Sequence, residues 1–214
     1  MTLPIAVIES RWDDGSLNTV SVRTFFELLG ALYEGNPGSF HYEMFSCTEA
    51  LQEILPRIGK DERFDYAYVA CHGKAEGLCA HNGDLISRTV LRNILKQPTA
   101  FKGLHLATCS FGTPELATFF FENGDLSVSW ISGYRKRVDW ADSSPLDLMF
   151  LHLLLESTPT KAIGRKERYK TEHGKITSIA ETITRLMRGS CDELGFSIYV
   201  RNRRGTVVDL ISKD

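Results

Sequence analysis

The 214-residue sequence has no apolar run long enough to cross a bilayer, since its longest, Leu146 to Leu155, is broken by Asp147 and His152. Its opening residues, Met1-Thr2-Leu3-Pro4-Ile5-Ala6-Val7, lack the basic and then long apolar stretch of a secretory signal. Neither a G-x-G-x-x-G nor a G-x-x-x-x-G-K-[ST] loop is present, which removes the usual sequence signs of a phosphate cradle. The five cysteines, Cys47, Cys71, Cys79, Cys109 and Cys191, are odd in number and show no framework spacing. That argues against a disulfide scaffold and sets the expected location as a reducing cytoplasm. An excess of positive charge is also missing: the net charge of -2 supplies no general attraction to nucleic acid or an anionic membrane. There is no internal repeat and no low-complexity tract.

What is present suits an enzyme-sized core. At 43% hydrophobic and 24% charged, 214 residues can bury one substantial domain, 1–214, with 157–214 as a C-terminal subregion. Strand and helix patterns alternate: strand Pro4 to Glu9, helix Thr19 to Tyr33, strand Phe40 to Phe45, and a helix opened by Thr48 and ended near Gly59. Next come a strand at 65–71, a hairpin region at 77–86, a helix from Ser87 to about Leu95 and a strand at 103–108. Thr113-Pro114-Glu115 opens a helix with proline in its first turn, where the missing N–H costs little. A strand at 127–133 and a helix from Ser143-Ser144-Pro145 to Glu156 follow. The order predicts an α/β fold, a mostly parallel sheet between two helical layers. The last third differs: a polar basic stretch with Lys161, Arg165, Lys166, Arg168 and Lys170 reads as a solvated loop. After it come a helix at 175–188 and a hairpin of 196–200 with 206–211, turned at Asn202-Arg203-Arg204-Gly205.

Two strand endings carry the chemistry. Tyr66-Ala67-Tyr68-Val69-Ala70-Cys71-His72-Gly73 and Gly103-Leu104-His105-Leu106-Ala107-Thr108-Cys109-Ser110-Phe111-Gly112 are short apolar runs that break at glycine. Neighbouring parallel strands would bring His72 and Cys109 to one sheet edge, where loops leave for the surface. An imidazole that takes up a thiol proton makes cysteine a usable nucleophile. Strand alternation sends Cys71 into the core and places His105 about 13 Å from Cys109 along its strand, too far to take part directly. His81, in the hairpin, is the rival base, and His152 reads as a core or boundary residue. A zinc site built from Cys71, His72, Cys79 and His81 is disfavoured because Cys71 and His72 point to opposite faces.

These motifs resemble the caspase-like cysteine peptidases of the caspase, metacaspase, separase and CHAT group. The matching residues are Val69-Ala70-Cys71-His72-Gly73, the stretch Gly77 to Ile86, and Leu104 to Cys109. Ser129-Trp130-Ile131-Ser132-Gly133-Tyr134 with Val138-Asp139-Trp140 is similar to the post-nucleophile strand and specificity loop of that group. The resemblance implies a caspase-like three-layer α/β/α sandwich with a C-terminal helix plus hairpin. It implies His72 as catalytic base or acid, Cys109 as nucleophile and the amides of Gly73 and Cys109 as the oxyanion hole. It further implies a protein or peptide substrate and a role in prokaryotic stress or defence, with no metal or organic cofactor needed for the bond chemistry, and the lack of an evident recognition module adds the expectation of a regulatory protein partner. Two departures leave substrate preference open: Ala107 stands where metacaspases carry an acid, and the Gln-Ala-Cys-x-Gly signature of animal caspases is absent. In the specificity loop, Arg135 or Arg137 would suit an acidic side chain, whereas Asp139 and Asp142 flanking Trp140 would suit a basic one, the reading preferred here. Asp142 also reads as a cap for the helix beginning near Ser143. The alternatives outside catalysis are an inactive caspase-fold scaffold that binds a peptide or partner, and a doubly wound sensor of a small ligand.

Overall fold

Strands buried along their whole length need cover on both faces, and the central strands of this chain are of that kind. The computed structural model describes residues 2–12, 21–122, 126–157 and 169–212. β1 (Ile5–Ser10), β3 (Tyr66–Ala70), β7 (Gly103–Ala107) and β8 (Trp130–Tyr134) are buried throughout. With β2 (His41–Phe45) they form a parallel sheet in the order β2-β1-β3-β7-β8, the near-continuous apolar strands expected where helices cover both faces. β9 (Phe196–Arg201) and β10 (Val207–Asp209) extend it antiparallel beyond β8, so the main sheet has seven strands.

Alternation sorts the side chains into two cores. Ile5, Val7, Tyr66, Tyr68, Trp130 and Tyr134 pack beneath α1 (Arg23–Glu34), α5 (Trp140–Glu156) and α6 (Glu172–Leu194). Ala6, Ile8, Ala67, Val69, Leu104 and Ile131 face α2 (Thr48–Gly59), α3 (Arg88–Leu95) and α4 (Pro114–Phe121). The result is the expected three-layer α/β/α sandwich, with a C-terminal helix and hairpin.

Several expected boundaries agree with the structure, and the differences have local causes. Ser87 caps α3 by accepting from the Val90 N–H, and Thr113 caps α4 by accepting from the Leu116 N–H. α5, by contrast, begins at Trp140 rather than Ser143. Its cap is Asp139, whose carboxylate accepts from the Ala141 N–H at 2.8 Å, so Pro145 lies inside the helix and Asp142 is not the cap. The expected 175–188 helix is longer at both ends, with Met187 non-helical (φ -134°) close to the predicted stop. The predicted hairpin region becomes a separate three-stranded sheet of β4 (His72–Lys74), β5 (Gly77–Cys79) and β6 (Leu85–Ser87). The expected start of the first helix at Thr19 and the basic stretch as far as residue 168 lie outside the described residues.

At the N-terminal ends of the interior strands β7 and β8, Gly103 pairs with Trp130, and a Cβ on Gly103 would lie 1.9 to 2.5 Å from the indole ring. Trp130 cannot step aside, since it is fully buried and its Nε1 donates to Glu172 Oε1 at 2.9 Å. Gly103→Ala is therefore expected to lower the unfolding free energy by about 1–3 kcal/mol through overpacking. Urea denaturation should show an earlier midpoint at unchanged slope, and an unchanged midpoint would contradict this packing.

Candidate active site

The sheet register brings the two strand endings together. Ala70 and Ala107 are the last residues of adjacent parallel strands and are directly paired, so His72 and Cys109 each lie two residues past the same edge. Here β3 stops at Ala70 and His72 opens β4, so the histidine projects from the start of the small sheet and not from the end of the large one. The expected alternation holds: Cys71 is fully buried and His72 exposed. Burial pushes the Cys71 thiol far above its ordinary range, which leaves it a packing group.

Gly73 joins the two loops. A Cβ there would stand 1.8 Å from Thr108 Oγ1 and 2.4 Å from the Cys109 carbonyl oxygen, so the segments touch through backbone that only glycine allows. The space beside Gly73 is thus filled by the chain's own Thr108 and Cys109, a second reason for glycine besides the approach of a substrate. Immediately after Cys109, Ser110 has φ 57°, the one positive φ on a non-glycine among the described residues. Such backbone strain persists where neighbours over-determine it and is found preferentially at functional turns. Here the Ser110 and Gly112 N–H groups donate to the carbonyls of Lys136 and Tyr134, both at 2.9 Å.

A cleft of about 550 Å³ opens over this junction and is lined by both His72 and Cys109. The two side chains hydrogen-bond to main-chain carbonyls and not to each other. Cys109 Sγ donates to Val138 O at 3.3 Å, and His72 Nε2 lies 2.6 Å from Trp12 O. A carbonyl oxygen can only accept, so Nε2 carries the hydrogen and Nδ1 is the ring atom left for proton exchange. The Trp12 indole packs edge-on against the same imidazole, with centroids 5.2 Å apart.

Trp140 and Phe25 stack at 5.2 Å and 14° to form an aromatic wall. Beneath them is Asp147, 3% exposed, whose Oδ2 accepts from the Tyr68 hydroxyl (2.9 Å) and Oδ1 from the Tyr134 hydroxyl (2.5 Å). Burial, with the Asp147 charge adding to it, holds both phenols well above their usual range, so they remain donors. His105 Nε2 approaches Asp147 Oδ1 at 3.2 Å without hydrogen-bond alignment, while its Nδ1 contacts Ser132 Oγ at 2.8 Å. His105 is accordingly buried away from Cys109 yet connected to the cleft floor.

Of the other residues singled out by sequence, Asp139, Trp140 and Arg137 line the cleft, whereas Asp142, Arg135 and His81 do not. His152 is on an exposed part of α5, its Nδ1 2.5 Å from the Tyr33 hydroxyl. Among the described residues, no three His, Cys, Asp or Glu side chains gather as a metal site. Sequence reasoning passes over Trp12, Tyr68, Tyr134 and Asp147. Asp147 alone announces itself, as an acid set within an otherwise apolar helix.

The class defined by this architecture is the caspase-like α/β/α sandwich. The fold is similar to that of a secreted C11 cysteine protease from Bacteroides thetaiotaomicron solved with an irreversible peptide inhibitor, at TM-score 0.51 and 10% identity over 92% of this chain. A second structure of a secreted C11 protease from that organism, called iotapain, aligns at TM-score 0.47 and 12% identity over 96% of this chain. The chain spans 65% of the length of each. No family model and no curated protein matches the sequence. Among the described residues, no helix is long and apolar enough to cross a membrane.

Proposed function

We propose that the chain is a cysteine endopeptidase that uses Cys109 as nucleophile and His72 as acid and base on a protein or peptide substrate. The observation that carries the reading is the direct pairing of Ala70 with Ala107, with Gly73 pressed against Thr108 and Cys109 under a cleft that His72 also lines. In this mechanism the Cys109 proton passes to His72 Nδ1 and Cys109 Sγ attacks the scissile carbonyl carbon. The developing oxyanion takes hydrogen bonds from the Gly73 and Cys109 amides. His72 then protonates the leaving amine, the C–N bond breaks, and water activated by His72 hydrolyses the thioester and restores the thiol. No step calls on a metal or organic cofactor.

The reading extends to one domain, since β9 from the C-terminal region pairs with β8 of the main sheet. A reducing cytoplasm is supported by five unpaired cysteines. A regulatory protein partner, a stress or defence role and the absence of direct membrane or nucleic-acid binding belong to the same proposal. The inactive-scaffold and small-ligand readings have no observation of their own in their favour.

For specificity we propose a basic residue before the cut. Asp139 and Asp147 are the carboxylates that line the cleft, and the Trp140–Phe25 wall suits the aliphatic stem and cationic head of arginine or lysine. Asp142 has a smaller share than sequence suggests, because it is off the cleft. A fluorogenic peptide panel varying only this residue should favour Arg or Lys, with the preference reduced in Asp147→Asn and Asp139→Ala and kept in Asp142→Ala. Preference for Asp, through Arg137, or for a small apolar residue would overturn the assignment.

A further inference from the structure

A carboxylate buried at the C-terminal end of β1 is unused by this mechanism. Glu9 is 1% exposed, and all four of its acceptor positions are occupied. Oε1 accepts from Trp12 Nε1 (2.6 Å) and the Val22 N–H (2.9 Å), and Oε2 from the hydroxyls of Ser21 (2.6 Å) and Tyr42 (2.7 Å). The Tyr42 phenol is pushed up to about 12, chiefly by burial, and so stays a donor. One carboxylate thus ties residue 12 and residues 21 and 22 to the edge of the sheet. Apolar packing would anchor this corner without direction, whereas the hydrogen bond from Nε1 to Oε1 fixes the rotation of Trp12 and the other three hold the carboxylate that accepts it.

Trp12 is the residue that holds His72, through its carbonyl at Nε2 and its ring edge against the imidazole. Glu9 itself pairs in register with Ala70, two residues before His72. We infer that Glu9 is a positioning residue for His72: acting through Trp12, it keeps the hydrogen on Nε2 and so leaves Nδ1 as the atom that exchanges a proton in the cleft. The geometry stands by itself, but its consequence for catalysis rests on the peptidase reading.

The test is the tautomer of His72, read from ring ¹⁵N chemical shifts and assigned by the signal lost in His72→Gln. Alongside it, the pH dependence of Cys109 alkylation by iodoacetamide is measured. Wild type should show the Nε2–H form. Glu9→Gln should keep it, because the amide oxygen can serve Trp12 and Val22 while its NH₂ donates to the two hydroxyls, which can turn to accept. Glu9→Ala and Trp12→Phe, which remove the carboxylate or the indole N–H, should give mixed tautomers. Their alkylation should slow by about tenfold or more, as when a partner that orients a functional histidine is lost, with a shifted pH profile. Tyr42→Phe removes one donor to Glu9 without touching Trp12 and should lower only the melting temperature. If Glu9→Ala does not fold, Trp12→Phe carries the test, because it retains the ring against His72. Variants that lose thermal stability but keep the wild-type tautomer and pH profile would overturn the inference. If instead the tautomers behave as stated while Cys109 of the wild type fails to react, the peptidase reading falls and the positioning of His72 stands.

Discussion

Replacing Cys109 with alanine is expected to reduce cleavage of a protein or peptide substrate at least about a thousandfold, the scale seen when a covalent nucleophile is deleted. The fold should be preserved. Cys109 is only half-buried, and the hydrogen bond that the substitution removes, from Sγ to Val138 O, is a weak S–H donation worth less than about 1 kcal/mol net. Cys71→Ala makes the informative comparison, being the same atom-for-atom change three residues into the other motif. Cys71 is fully buried with its thiol held protonated, so its loss should cost stability and leave turnover near wild type. Progress curves on one substrate, with melting curves of the same samples, separate the two outcomes. Wild-type cleavage by Cys109→Ala would remove the nucleophile from the scheme.

Gly73→Ala should be the most damaging single-methyl change in the molecule for activity. The added carbon would overlap Thr108 Oγ1 at 1.8 Å and the Cys109 carbonyl oxygen at 2.4 Å. One of these contacts is main chain and cannot rotate away, so the His72 and Cys109 segments must part. Overpacking of this kind costs about 1–3 kcal/mol of stability, and a displacement near 1 Å between reacting groups costs on the order of a hundredfold in rate. Gly73→Ala is therefore expected to be both less stable in urea and at least about a hundredfold slower per folded molecule. Thr108→Ala in the same chain removes the Oγ1 overlap but leaves the carbonyl contact, so it should restore part of the stability and little of the rate. A fully active Gly73→Ala would mean that the two segments do not need their observed contact.

The layers of this fold are legible in sequence where the local signal and the tertiary demand coincide. Thr113-Pro114 opens α4 as written, because the cap and the proline both favour a start at that point and nothing upstream competes. Ser143-Ser144-Pro145 carries the same kind of signal and misleads. Asp139 caps α5 earlier, and Trp140 gains a stacking partner in Phe25 by being helical. His72 and Cys109 are legible because each stands at a break from apolar strand to glycine. Their proximity, however, depends on β3 pairing directly with β7, which no local pattern states. Asp147, Tyr68 and Tyr134 come from a helix and two strands, and their shared hydrogen bonds appear only once α5 covers that face. Glu9 is less visible still, since an acid at the end of a strand ordinarily points to solvent.

Cys109, set by His72, is the proposed reactive group of the cleft. It is tested most directly by treating the native protein with peptide acyloxymethyl ketones ending in Arg, Asp or Leu and mapping the adducts by mass spectrometry. Five thiols compete for the reagent, and burial holds those of Cys71 and Cys191 above the ordinary range, the latter at about 11. The expected result is a single adduct on Cys109 that forms fastest with the arginyl reagent and is strongly slowed in His72→Ala. Labelling of Cys47 or Cys79 in its place, or labelling of Cys109 at the same rate without His72, would contradict it.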